Sequence, residues 1–269
     1  MAVLEVDSIL FDMDGTLVDE SSSYREAIRL TAEYLLRRPV SMDEVREIKR
    51  YPGFNGDWDA TWGLVGRRLH GSIFVPSDAD RGSYAYRRLR DIFQTYYLGD
   101  RMWRQISGRP PDWMPPFRWD DPLFYRERPL VAAETLQQLT GFALGIVTSR
   151  PRVEALMALH QQGLDRYFTQ DVLVAAEDTP RHKPDPAPLR EMVRRLGARR
   201  PVYVGDSIDD ALAALAAGMA FLHVGVEPFV EERAERAVHG RISSVQHVVA
   251  LCRPTKSGEA NRLPASPGR

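Results

Sequence analysis

Two aspartates one residue apart, Asp12 and Asp14, close the apolar run Ile9–Phe11 and are followed at once by Gly15 and Thr16. In extended chain, residues i and i+2 point the same way, so both carboxylates can enter one pocket at a strand end. Like charges that close are unfavourable unless a cation sits between them or one carboxyl keeps its proton. Either remedy is useful chemistry: a hard-metal site of the magnesium type, or an acid beside an attacking carboxylate. Gly15 permits a turn that a ligand can approach closely, and Thr16 adds a hydroxyl. The plainer alternative is an ordinary strand-to-turn junction, where Asp and Gly are common.

Two later stretches have the same build, and a loop between them adds a third candidate. The buried-type strand pattern Phe142–Val147 ends at Thr148-Ser149-Arg150, and Pro201–Val204 ends at Gly205-Asp206 with Asp209 and Asp210 just beyond. Between them, Lys183-Pro184-Asp185 occupies a loop. Lysine occurs only at Lys49, Lys183 and Lys256, so arginine makes up 33 of the 36 basic residues and a retained lysine stands out. Each residue has a plain rival role: Thr148 as a helix N-cap, Lys183 as a solvated loop residue, Arg150 as a surface pair. Asp209 is read as solvent-facing or capping and is left outside the catalytic set. The histidines at 160, 182, 223, 239 and 247 show no zinc-type spacing and are read as structural or exposed.

The elements that would position these residues alternate strand and helix from Pro129 onward. Expected helices are Leu130–Leu139, Arg152–Gln162, Pro188–Leu196, Ala211–Ala217 (stopped by Gly218) and a last one over Ser243–Leu251. Expected strands are Phe142–Val147, Asp171–Ala175, Pro201–Val204 and a last one over Ala220–Val224. Such alternation implies an α/β fold, a Rossmann-like doubly wound parallel sheet whose ligands bind at the carboxyl ends of the strands. The stretch from 20 to 125 is different, mostly helical with no convincing strand. It holds helices from Tyr24, from Ser41 (a Ser41/Glu44 capping box) to about Arg50, over Asp59–His70 and over Ser83–Leu98. An aromatic, Gly-containing break covers Tyr51–Trp58, and a proline-dense loop covers Arg109–Phe117. The expected organisation is a core of 1–19 and 126–252, a helical insert of 20–125 and a disordered tail of 253–269. The tryptophans at 58, 62, 103, 113 and 119 are read as insert core.

Composition narrows the function classes. With 269 residues, 43% hydrophobic and 27% charged, the chain has room for a large α/β domain with an insert. A net charge of −1 offers no basic field for nucleic acid or an acidic membrane. No apolar run nears the roughly 20 residues of a membrane span, and no signal peptide is read at the N-terminus. The lone Cys252 rules out an internal disulfide and fits a reducing, cytoplasmic setting.

Taken in order, the motifs DxDGT, TS, KPDP and GDxxxD resemble the haloacid dehalogenase superfamily, subfamily I, the subgroup of phosphoglycolate phosphatase and β-phosphoglucomutase. The resemblance covers residues 6 to about 252, and the insert lies where that family carries its helical C1 cap. It implies a magnesium-dependent phosphatase acting on a small phosphorylated metabolite, with no nucleic-acid or membrane partner. Asp12 would be the nucleophile and Asp14 the general acid and base. Thr148 would donate to a phosphoryl oxygen, helped by backbone near Ser149, and Lys183 would neutralise nucleophile and phosphate together. The metal would sit on Asp12, the Asp14 carbonyl and Asp206, with Asp210 orienting a water. Gly15, Thr16, Ser149 and Arg150 would line the substrate site, with Asn55 and Trp58 of the insert adding specificity. A phosphomutase and a non-catalytic binding protein remain as alternatives. A dehalogenase is disfavoured by Asp14, and a phosphonatase by its need of a Schiff-base lysine, for which the insert offers only Lys49.

Overall fold

The computed structural model describes residues 3–107 and 119–255. The chain divides into two compact units: one takes the chain up to Val18 and again from Pro129, the other is Asp19–Arg128.

The first unit opens with Leu4–Val6 (β1) and Ser8–Phe11 (β2). They are separated by Asp7, whose carboxylate accepts from the Arg199 and Arg200 N–H groups at 2.8 and 3.0 Å. The chain leaves through Val18–Asp19 (β3) and returns through Arg128–Pro129 (β4), which pair with each other. There follow Ala133–Gln138 (the sixth helix in chain order, α6), Ala143–Val147 (β5), Arg152–Gln161 (α7), Leu173–Val174 (β6) and Ala187–Leu196 (α8). Pro201–Gly205 (β7), Ile208–Ala217 (α9), Ala220–Val224 (β8), Glu232–Arg236 (α10), Val238–Ile242 (β9), Val248–Leu251 (α11) and Cys252–Pro254 (β10) complete it. Six of these strands form one parallel sheet in the order β6-β5-β2-β7-β8-β9. The strand order reverses about β2, the topological switch at which such sheets bind ligands. Right-handed crossovers running both ways from that switch clothe both faces with helices, so the fold is the expected doubly wound one. β2 is buried along its whole length, as an inner parallel strand requires. On one face Leu10, Tyr203 and Phe221 pack with Leu189 and Met192 of α8 and Ala211 and Ala214 of α9. On the other, Phe11 meets Phe168 edge-on at 6.1 Å.

Four expectations need correction here. Ala220–Val224 is not the last strand, because β9 joins the sheet edge beside it. The tail does not turn irregular at 253: β10 pairs in parallel with β1, and Thr255 N–H donates to Val6 O. The rest of the expected tail lies outside the described residues. The expected strand Asp171–Ala175 shrinks to two residues because Gln170–Val172 forms a 3₁₀ turn. α9 starts three residues before Ala211, capped by Ser207 with Asp210 in a reciprocal box.

The second unit is helical: Tyr24–Leu36 (α1), Met42–Ile48 (α2), Asp57–His70 (α3), Asp78–Arg81 (α4) and Tyr84–Ser107 (α5), the last interrupted at Gly99. The Ser41/Glu44 capping box is present. Ser23 does not cap α1 with its side chain; its hydroxyl instead bonds Glu20 O and the buried Glu127. Among the described insert tryptophans, Trp103 is buried and 58, 62 and 119 are half-buried. Trp113 and the expected Arg109–Phe117 loop lie outside the described residues. No described helix is long and apolar enough to cross a membrane.

Candidate active site

Each catalytic candidate of the first unit follows a strand of the sheet or a loop against it. Phe11 pairs with Ile146 on one side and Val204 on the other, so the three strands end level. Asp12 therefore emerges between Val147-Thr148 and Gly205-Asp206, with its N–H on Val204 O at 2.8 Å. Gly15 takes φ +69°, in the left-handed region, and a methyl group there would overlap the Asp206 carboxylate. That glycine serves conformation and close approach together.

Lys183 arrives from the loop before α8, past a cis Lys183–Pro184 peptide, and its side chain is 1% exposed. Its ammonium donates to Asp12 Oδ1 at 2.8 Å, Asp210 Oδ1 at 2.6 Å and the Tyr203 hydroxyl at 2.9 Å. Burial alone would lower its pKa, but the charges of Asp12 and Asp210 outweigh that and hold it above the ordinary lysine range. Burial, with Asp210 and then Asp14 beside it, pushes Asp12 up to about 8 even against Lys183. Asp210 goes the other way: burial would raise it, but Lys183, Ser207 and Tyr203 hold it below the usual carboxylate range. Burial keeps the Tyr203 hydroxyl protonated, so it can donate to Asp210 Oδ1 at 2.8 Å while accepting from Lys183. Tyr203 was not singled out from sequence. The available signal was a tyrosine inside a buried strand, whose hydroxyl must find polar company.

One oxygen each of Asp12, Asp206 and Asp210 lie within 4.8 Å of one another. Three carboxylates gather here with one ammonium, and all donors are oxygens, which fits a hard divalent cation such as Mg²⁺. Asp210 is the least available of the three. Its Oδ1 accepts from Lys183 and Tyr203, and its Oδ2 accepts from Ser207 N–H at 3.0 Å and Ser207 Oγ at 2.7 Å. It anchors Lys183 and takes part in the capping box of α9. Asp209, expected at the surface or as a cap, is fully buried beside it.

Thr148 is buried and is not a helix cap, since α7 is preceded by Pro151. Its Oγ1 accepts from the Arg150 N–H at 3.1 Å, leaving its own proton for a ligand oxygen. Ser149 is half-buried and Thr16 is fully buried. Arg150 is neither a surface pair nor open to solvent: its buried guanidinium forks onto the Asp14 carboxylate, Nε 2.8 and 3.0 Å from its two oxygens. His223, in register with Gly205, is buried and packs on Phe229; burial lowers its pKa and favours the neutral ring.

Asn55 and Trp58 belong to the second unit. There the Lys49 ammonium donates to Asn55 O at 2.6 Å and Asp57 Oδ1 at 2.9 Å, pinning the connection between α2 and α3. Phe54 of that connection is buried against Gly63, and Trp58 lies 6.0 Å from the Arg90 guanidinium. Burial would lower the pKa of Lys49, but Asp57 raises it instead, which keeps it an ammonium rather than a Schiff-base nucleophile.

Residues 6–218 match the haloacid dehalogenase-like hydrolase family. A phosphoglycolate phosphatase of Vibrio parahaemolyticus is 30% identical over 224 residues, covering 82% of this chain and 84% of the relative. A pyrophosphatase of Halalkalibacterium halodurans is 28% identical over 224 residues, covering 82% and 85%. Among solved structures, the phosphatase Tt82 of Thermococcus thioreducens is 30% identical, with a TM-score of 0.59 over 85% of this chain and 98% of its own.

Proposed function

The chain belongs to the haloacid dehalogenase-like hydrolases, and on that footing we propose that this phosphatase cleaves a small phosphate monoester or anhydride, with Mg²⁺, through an aspartyl-phosphate on Asp12. The observation that carries the reading is the buried Asp12 carboxylate, bonded by Lys183 through Oδ1 only and with no donor on Oδ2 among the described residues. Oδ2 is the atom to attack phosphorus. As the Asp12 O–P bond forms, the bond to the leaving oxygen breaks, and Asp14 hands that oxygen a proton. Lys183 offsets charge on nucleophile and phosphoryl group together, and the free Thr148 proton is donated to a phosphoryl oxygen. In the second step Asp14 takes a proton from water, which attacks phosphorus and releases Asp12 and inorganic phosphate. Mg²⁺, held by Asp12, Asp206 and the Asp14 carbonyl, would supply charge neutralisation of the phosphoryl oxygens. Asp210 keeps Lys183 in place. Gly15, Thr16 and Ser149 would lie against the phosphate, and Asn55 and Trp58 would set substrate preference from the insert.

Phosphate release from a panel of phosphorylated metabolites, with Mg²⁺ or EDTA, tests the reading. The panel includes phosphoglycolate and pyrophosphate, after the names of the relatives. Metal-dependent release supports it, and silence from folded, Mg²⁺-supplied protein opposes it. If Asn55→Ala and Trp58→Ala leave kcat/KM unchanged on the best substrate, the insert residues lose their proposed role. A cytoplasmic setting, suited to metabolite phosphates, belongs to the same proposal.

A further inference from the structure

Arg150 has a side chain exposed by only 1%, while the Asp14 carboxylate it holds is exposed by 22%. The contact is many-sided: Nε reaches both carboxylate oxygens, and Nη2 bonds Oδ1 as well. A planar guanidinium on a carboxylate fixes direction as well as distance, which a lysine cannot do. The base of the fork is itself fixed. The Arg150 N–H donates to Thr148 Oγ1 at 3.1 Å, and its carbonyl accepts from the Ala176 N–H at 3.0 Å. Thr148 N–H in turn donates to Val174 O at 2.9 Å, so the loop is tied to the end of β6 on two sides. Asp14 stands at the start of the tight Met13–Val18 turn, where a partly exposed carboxylate would otherwise rotate about two bonds.

We propose that Arg150 is the positioning residue for Asp14: it aims the carboxylate that exchanges a proton with the leaving oxygen, and it does not itself contact the substrate. This rests on the reading of Asp14 as general acid. A proton donor works only within about 3 Å of its acceptor, and a displacement of about 1 Å can cost about 10²-fold in rate. Loss of the fork therefore matters most where the leaving oxygen most needs a proton. An alkyl phosphomonoester expels a strongly basic alkoxide and needs it. p-Nitrophenyl phosphate expels a stable phenolate and does not.

The test measures kcat and KM, with Mg²⁺, on an alkyl phosphomonoester and on p-nitrophenyl phosphate, for wild type, Arg150→Met, Arg150→Lys and Asp14→Asn. The readout is the ratio of losses on the two substrates. The expected result is that Arg150→Met loses about tenfold or more in kcat on the alkyl ester relative to the aryl ester, with KM little moved. Arg150→Lys keeps the charge without the fork and should share the selective loss. Thermal melts identify any variant that is unfolded; if Arg150→Met is, Arg150→Lys carries the comparison. Equal losses on both substrates, or none, overturn the inference, because a merely structural arginine damages both alike. Asp14→Asn separates the two failures. If it too treats both esters alike, the general-acid reading has failed; if it alone is selective, only the role of Arg150 has.

Discussion

Replacing Lys183 by Met keeps an unbranched side chain, one atom shorter, and removes the charge at the centre of the site. The ammonium is 2.8 Å from Asp12 Oδ1 and 2.6 Å from Asp210 Oδ1. At an effective dielectric of about 20, each contact is an attraction on the order of 6 kcal/mol, and desolvation of the buried ammonium offsets much of the pair. The variant leaves two buried carboxylates and the Tyr203 hydroxyl without their shared partner. Stranding one side of a buried ion pair costs about 3–5 kcal/mol, or on the order of 10 °C in Tm for a unit of this size. The sign with pH follows from Asp12, already pushed up to about 8 with Lys183 present. Without the ammonium, the folded pKa of Asp12 rises further above the unfolded value of about 3.9, and that of Asp210, which Lys183 holds below the usual range, rises as well. The folded state then binds more protons than the unfolded state across that window, so stability falls as pH rises. Urea unfolding of wild type and Lys183→Met in EDTA, at about pH 5 and about pH 8, reads the effect. The loss should be several-fold smaller at the lower pH. A loss of equal size at both, or no loss, would refute the electrostatic account of the site.

Three further outcomes follow from the same geometry. Gly15→Ala puts a methyl group onto the Asp206 carboxylate at a left-handed φ, so Mg²⁺ titrations should show metal affinity reduced at least about tenfold. For wild type, a proton must leave Asp12 before the metal binds, so the Mg²⁺-induced rise in Tm should grow from about pH 6 to about pH 8 and then level. A rise independent of pH contradicts the placement of the metal on Asp12. Tyr203→Phe removes one acceptor from Lys183 and one donor from Asp210, and should lower stability by about 1–3 kcal/mol in urea unfolding.

The local parts of this arrangement were legible because they depend on a few neighbouring residues. Ile9–Phe11, Phe142–Val147 and Pro201–Val204 read as buried strands, and Asp12, Thr148 and Asp206 follow them directly. The Ser41/Glu44 box and Gly218 at φ +70° follow from capping chemistry alone. The edge strand Val238–Ile242 was missed because a glycine and two polar residues break its apolar pattern, which an edge tolerates and a central strand does not. The start of α9 was missed because Asp210 reads as a metal-site residue rather than as part of the acidic first turn that a helix N-terminus favours. What no local pattern carries is pairing at a distance. Lys183 meets Asp12 across 171 positions, and Arg150 meets Asp14 across 136. The burial of Arg150 against Asp14 was not legible either, because position in a motif says nothing about burial.

The central claim is covalent chemistry at Asp12, and trapping the intermediate tests it most directly. Wild type and Asp12→Asn would be mixed with the best substrate and Mg²⁺ and quenched with borohydride, which reduces an acyl phosphate to an alcohol. Mass spectrometry of the peptide spanning Asp12 then reads the product. The account predicts homoserine at position 12, dependent on substrate, and no phosphate release from Asp12→Asn. Rapid phosphate release by wild type with an unmodified Asp12, and turnover retained in Asp12→Asn, would contradict it.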